Sequence, residues 1–109
     1  MFEVRHYHAP DGADTFGGWF DELRDPVSRA RIAARIDRLA VGLFGDAKLL
    51  REGHGVRELR VNYGPGYRVY YALAGRTVVL LLCGGVKRNQ RADIADAVRY
   101  WLEFQRRDR

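Results

Sequence analysis

The sequence predicts an α+β domain in the order β-α-α-β-β-β-α, with two N-terminal helices packed on a mostly antiparallel sheet. Three observations carry this. Apolar residues recur at helical spacing through the first forty positions, strict alternation follows between residues 55 and 73, and a continuous apolar run lies between Thr77 and Cys83. Two helices followed by a β-meander imply a layered structure in which the helices cover one sheet face and leave part of the other open.

A first strand is expected at about Phe2 to His8. After Asp11-Gly12, Asp14 is placed to cap a helix in which Phe16, Trp19, Phe20 and Leu23 fall at i, i+3, i+4 and i+7, one buried face. Asp25-Pro26 reads as an N-cap followed by proline at the first helical position, where the missing amide would have no partner anyway. That second helix runs to about Val41, with Ile32, Ile36, Leu39 and Leu43 as its apolar line and Gly42 as its terminator. Arg31, Arg35 and Arg38 form a basic stripe on another face, which reads as a phosphate or acidic-partner contact or, more commonly, as a solvated helix face.

Gly55 to Val61 and Tyr67 to Leu73 alternate, and the segment Asn62-Tyr63-Gly64-Pro65-Gly66 between them is rich in turn formers. Side chains alternate faces along a strand, so Tyr67, Val69, Tyr71 and Leu73 are assigned to the core and Glu58, Arg60, Arg68 and Tyr70 to the open face. Ala74-Gly75 turns the chain into the apolar Thr77–Cys83 run, which suits a strand covered on both faces, and Gly84-Gly85 is expected to end it. A last helix from about Asn89 or Gln90 carries Ile94, Ala97, Val98 and Trp101 on one side, with Gln105 to Arg109 expected to fray.

The chain has 109 residues, 47% of them hydrophobic and 30% charged, which fits one globular domain spanning 1–109. Nineteen Lys and Arg against fourteen Asp and Glu give a net charge of +5, so a polyanion or an acidic protein is the natural counterpart. The single cysteine, Cys83, has no internal disulfide partner and lies in an apolar run, where a buried thiol is expected. The start of the chain lacks a signal-peptide core and no apolar stretch approaches a membrane span, so the expectation is a cytoplasmic protein with no membrane partner.

The open-face residues Glu58, Arg60, Arg68 and Tyr70 are joined by Lys87-Arg88-Asn89-Gln90 just past the central strand. Guanidinium and ammonium groups beside an aromatic suit RNA, because arginine grips phosphate bidentately while tyrosine stacks on an unpaired base. Glu58 reads either as a general base or as the salt-bridge partner that holds Arg60 or Arg68. His54, in a glycine-flanked loop, reads either as a proton donor near neutral pH or as a surface histidine. His6 and His8 have metal-compatible spacing, but no cysteine or clear carboxylate set completes a site, so neither a metal nor another cofactor is expected.

Three consecutive blocks then resemble a known family: Gly55-Val56-Arg57-Glu58-Leu59-Arg60, Gly64-Pro65-Gly66-Tyr67-Arg68-Val69-Tyr70-Tyr71, and Leu80-Leu81-Leu82-Cys83-Gly84-Gly85-Val86-Lys87-Arg88-Asn89-Gln90. They are similar to the signatures of the RelE/ParE superfamily, in the HigB-like branch labelled "addiction module killer protein", and further matching stretches at Phe16 to Asp25, Arg35 to Leu39 and Gly42 to Lys48 extend the likeness over nearly the whole chain. The resemblance implies a RelE-like fold and a type II toxin that stops translation by cutting mRNA in the ribosomal A site, neutralised by a helix-turn-helix, HigA-like antitoxin.

By the same resemblance, Arg68 matches an arginine that contacts the scissile phosphate and Lys87-Arg88 match a basic pair after the last strand. The expected catalytic set is Arg68, Lys87, Arg60 and Glu58, and the expected RNA-contacting set is Arg57, Tyr70, Arg88, Gln90, Lys48 and His54. The sequence departs from the family pattern at Glu58, where well-known ribosome-dependent members carry lysine, and at Ile94, where some carry a catalytic tyrosine. Two other functions remain open on this scaffold: a ParE-like, non-enzymatic inhibitor of DNA gyrase, and a non-catalytic nucleic-acid-binding relative.

Overall fold

The computed structural model describes residues 1–107. Its elements are β1 (Glu3–His6), α1 (Thr15–Glu22), α2 (Pro26–Ala40), β2 (Ala47–Leu49), β3 (Arg57–Val61), β4 (Tyr67–Ala74), β5 (Val78–Val86), a 3-10 turn (Lys87–Asn89) and α3 (Gln90–Arg107). The sheet runs β1-β5-β4-β3-β2, with β1 parallel to β5 and every other neighbour antiparallel. The α+β class and the element order of the sequence reading hold, with the short edge strand β2 added.

Local chemistry explains the helix starts. Asp14 accepts from the Gly17 amide at 2.8 Å, and Asp25 accepts from the Val27 amide at 3.2 Å and from Ser28 Oγ at 2.8 Å, each satisfying first-turn donors that the helix leaves unpaired. Phe16 is buried, and Trp19, Phe20 and Leu23 pack against the core beneath α1 and α2 with Ile32, Leu39, Val69, Tyr71 and Leu81. Leu43 departs from the expected line: α2 ends at Ala40, Gly42 takes a positive φ of 80°, and the chain turns Leu43 out to solvent.

The largest correction concerns the second face of the sheet. It is covered by α3, whose Ile94, Ala97, Val98, Trp101 and Phe104 pack with Tyr7, Val56, Tyr70, Ala72, Leu80 and Leu82 into a second core. An amphipathic helix must bury its apolar stripe, and the α1/α2 side was already filled. Only the part of this face beyond the start of α3 remains available. The helix also persists through Arg107, which donates to the His8 carbonyl at 2.7 Å and pairs with Glu103 at 3.3 Å, so the expected fraying does not reach Gln105 to Arg107; Asp108 and Arg109 lie outside the described residues.

Gly84-Gly85 also behaves differently from expectation, since β5 continues through both to Val86. A Cβ at Gly84 would run into the Trp19 ring, and one at Gly85 into the Asp93 carboxylate. The glycines let α1 and α3 approach β5 from opposite faces instead of ending it. A register shift between Tyr70 and Tyr71, where Tyr70 pairs with Cys83 and Tyr71 with Leu81, aims the two glycines this way.

Candidate nucleic-acid interface

The register collects the predicted polar residues at one end of the sheet. Glu58 pairs with Tyr70, Arg60 with Arg68, and Arg68 with Gly85, and cross-strand partners share a face, so all of these side chains project toward the α3 side. Glu58 is 0% exposed, and both of its oxygens are occupied: Oε1 accepts from Arg60 Nε at 3.1 Å and Oε2 from Gln90 Nε2 at 2.5 Å. Gln90 is the first residue of α3, so this carboxylate ties the helix start to β3. A buried charge without a partner would be very costly, and here the partner is a guanidinium whose side chain remains 34% exposed.

Arg60 is further fixed through its backbone. Its amide donates to the Asp46 carbonyl at 2.8 Å, and its carbonyl accepts from Arg35 Nη1 at 2.9 Å. The middle arginine of the α2 stripe therefore braces β3, while Arg31 lies 4.6 Å over the Tyr63 ring.

Arg68 is only 5% exposed, with Nη1 donating to the Tyr67 carbonyl at 3.0 Å and Nε buried without a partner among the described residues. Beside it, Lys87 donates its amide to the Gly66 carbonyl at 2.8 Å. Gly66 has a positive φ of 80°, and a Cβ there would meet Lys87 Cβ at 3.4 Å and Arg68 Nη1 at 3.6 Å, so glycine serves both the turn and the close approach of the two cations. Lys87 and Arg88 are exposed on the 3-10 turn.

Three expected RNA contacts are buried or lie elsewhere. Tyr70 is 0% exposed beneath α3, so it has no free ring face for a base; its hydroxyl, without a partner among the described residues, is held far above the usual range by burial and then by the charges of Glu58 and Asp93. His54 is exposed but sits where its carbonyl accepts from Trp101 Nε1 at 2.8 Å, eleven residues along α3 from Gln90 and thus about 16 Å from the helix start. Arg57 pairs with Tyr71 and so belongs to the opposite sheet face, whereas Lys48, exposed on the flanking edge strand, pairs with Glu58 in register and so shares the face of the cluster.

Sequence reasoning missed Asp93. It lies in the first turn of α3 over Gly85, with Oδ2 buried and unpartnered among the described residues, and its carboxyl is raised by burial and by neighbouring Asp96. The glycine at position 85 was the available signal, since a missing side chain on a strand marks a close approach from the facing layer. Ile94, at the position of the departing tyrosine, packs into the second core.

His6 Nδ1 bonds Asp14 Oδ2 at 2.8 Å, and His8 Nδ1 lies 3.1 Å from the His6 carbonyl. Among the described residues no group of three or more His, Cys, Asp and Glu side chains is arranged to hold a metal, and no helix is long and apolar enough to cross a membrane. A cleft of about 650 Å³ is at the far end of the sheet beside Leu80, Trp101 and Phe104, away from the cation cluster.

Fold and charge together define a small basic α+β protein with cations gathered at one sheet end. Residues 18–99 match the family described as Phage derived protein Gp49-like (DUF891), and the chain belongs to that family. An uncharacterized protein of Haemophilus influenzae (strain ATCC 51907 / DSM 11121 / KW20 / Rd) is 45% identical over 83 residues, covering 76% of this chain and 82% of its own. The family is generally toxin-like and typically forms one half of a toxin–antitoxin pair, which implies an antitoxin partner.

Proposed function

We propose that the chain is the toxin of a type II toxin–antitoxin pair and inhibits translation in the cytoplasm by cutting ribosome-bound mRNA, as its resemblance to the HigB-like branch of the RelE superfamily implies. The observation that carries the reading is the Glu58-anchored sheet end, where Arg60 is held in one orientation opposite Arg68 and the Gly66 turn brings Lys87 beside Arg68. Cations fixed before the substrate arrives stabilise charge that develops in a transition state without reorganising at that moment.

In the reaction, the ribose 2′-oxygen attacks the adjacent phosphorus, the P–O5′ bond breaks, and a cyclic phosphate and a free 5′-hydroxyl result. One proton leaves the nucleophile and one reaches the departing oxygen. The partly exposed Arg60 and the exposed Lys87 are placed to meet the phosphorane, while the buried Arg68 supports them from beside Gly66. The occupied oxygens of Glu58 favour a positioning role through Arg60 and Gln90 over direct proton transfer. The chemistry requires no metal, because alignment by the ribosome and these side chains supplies geometry and charge stabilisation.

The test is 5′-end mapping of a reporter mRNA in a bacterial translation extract, with naked mRNA as control. Discrete ribosome-dependent cuts, weakened about a hundredfold or more in Arg60→Ala and Lys87→Ala at unchanged protein levels, are expected. Intact mRNA in cells whose growth is arrested, with DNA damage, would replace this reading by gyrase inhibition.

A further inference from the structure

A second, smaller cleft of about 290 Å³ opens beside the cation cluster, lined by Pro65, Val86 and Arg88. Its walls come from different elements, the β3–β4 turn and the end of β5, and the Lys87 amide bond to the Gly66 carbonyl at 2.8 Å clamps them at a fixed separation. Pro65 and Val86 are apolar and offer no side-chain hydrogen-bonding group. Arg88 is exposed, and its guanidinium makes no hydrogen bond or ion pair among the described residues. Val86 and Lys87 are successive residues, so they diverge to the two sides of the sheet end; the cleft and the Arg68–Lys87 pair are back to back, separated by the Gly66–Lys87 backbone.

We propose that this cleft is a nucleobase subsite, which takes an unpaired base of single-stranded RNA and selects guanine. The inference rests on the RNA reading above and deepens it by assigning base recognition. The negative counterpart of the cluster is an RNA phosphate, and a strand whose phosphate lies on Lys87 can turn its base over the Gly66 edge into the cleft. The apolar Pro65 and Val86 can lie against the face of any base. Discrimination then falls to Arg88, which only donates; guanine offers two adjacent acceptors, O6 and N7, on one edge, whereas cytosine and adenine place an amino donor on theirs. Tyr70, the aromatic expected to meet a base, is buried and leaves this task to the cleft.

The test is a titration of the full chain with guanosine, adenosine and cytidine 3′-monophosphates and with inorganic phosphate, followed through backbone amide resonances. Guanosine 3′-monophosphate is expected to shift Gly66, Val86 and Arg88 and to bind about tenfold more tightly than the cytidine nucleotide, a preference that Arg88→Ala abolishes with the rest of the spectrum intact. Equal binding of all three nucleotides and phosphate, or shifts confined to Lys87, would overturn the subsite. Because no ribosome or cleavage enters this measurement, its failure is separable from that of the nuclease reading. Guanine-selective binding without mRNA cutting would sink only the nuclease, and cutting with an unchanged cut-site spectrum in Arg88→Ala would sink only the subsite.

Discussion

Replacing Glu58 separates an anchor from a catalyst. In Glu58→Gln the shape is kept, and the amide oxygen can still accept from Arg60, but the charge is lost and the amide nitrogen now faces the Gln90 amide at the former 2.5 Å contact. A hydrogen bond to a charged group is worth roughly 1.5–3 kcal/mol net, and a neutral one about 1. The Arg60 component is discounted further because that side chain is 34% exposed and can recover water, which leaves about 1–2 kcal/mol of destabilisation. Glu58→Ala adds a cavity in a fully buried site and strands Gln90, so roughly 3 kcal/mol is expected. Urea unfolding at pH 7 measures both, with unchanged m-values as the sign of an unaltered unfolded state. If mRNA cutting is confirmed, Glu58→Gln should slow it by weakening the hold on Arg60 while leaving the shape of the pH–rate profile intact. Stability within about 0.5 kcal/mol of wild type in both variants would refute the anchor, and loss of the acidic limb of the profile in Glu58→Gln would establish a general base instead.

Two further outcomes follow from the packing and the caps. Gly84→Ala should destabilise by about 1–3 kcal/mol, because its Cβ enters the space of the Trp19 ring; thermal melts of Gly84→Ala, Trp19→Leu and the double variant should show strong coupling, and additive effects would disprove the contact. Burial raises the Asp14 carboxyl, but the bonds from His6 and the Gly17 amide outweigh it and hold the group below its usual value. Its contribution is therefore complete above the unfolded-state value and is lost as pH falls through the folded one; urea midpoints of Asp14→Ala should converge on wild type toward pH 3 and diverge at pH 6, and a constant gap would remove the linkage.

The sequence made some features legible because a strand has a fixed period. Alternation alone placed Arg68 and Tyr70 on one side of β4 and Tyr67, Val69 and Tyr71 on the other, and the register agrees. Alternation assigns a face without saying what covers it, so it leaves Tyr70 open where α3 in fact buries it. The apolar stripe of α3 contained the missing clue: a helix that must be buried, linked by a short turn to β5, needs a free sheet face, and only the one bearing Tyr70 was unclaimed. His54 failed for a related reason. It precedes β3 whereas Arg60 lies near the strand's far end, and each extended residue adds about 3.4 Å, so a loop close in sequence to Glu58 opens at the wrong end of the sheet.

The difference between a merely basic surface and a site lies in which cations are already committed. Of the α2 stripe, Arg35 is engaged by the Arg60 carbonyl and Arg31 by the Tyr63 ring, while Arg38 falls in the last turn, where a positive charge suits the helix dipole. That stripe is explained by the fold. Among the described residues, Lys87 and Arg88 have no comparable structural task for their charged ends, yet their backbone is pinned through Gly66 and bordered by a guanidinium that a buried carboxylate holds in place. Exposed charge on a fixed backbone can meet a polyanion without first paying to order itself. An antitoxin that opposes such a surface would gain most from acidic side chains laid over Lys87, Arg88 and Arg60, and reversing one of those charges should weaken neutralisation and RNA contact together.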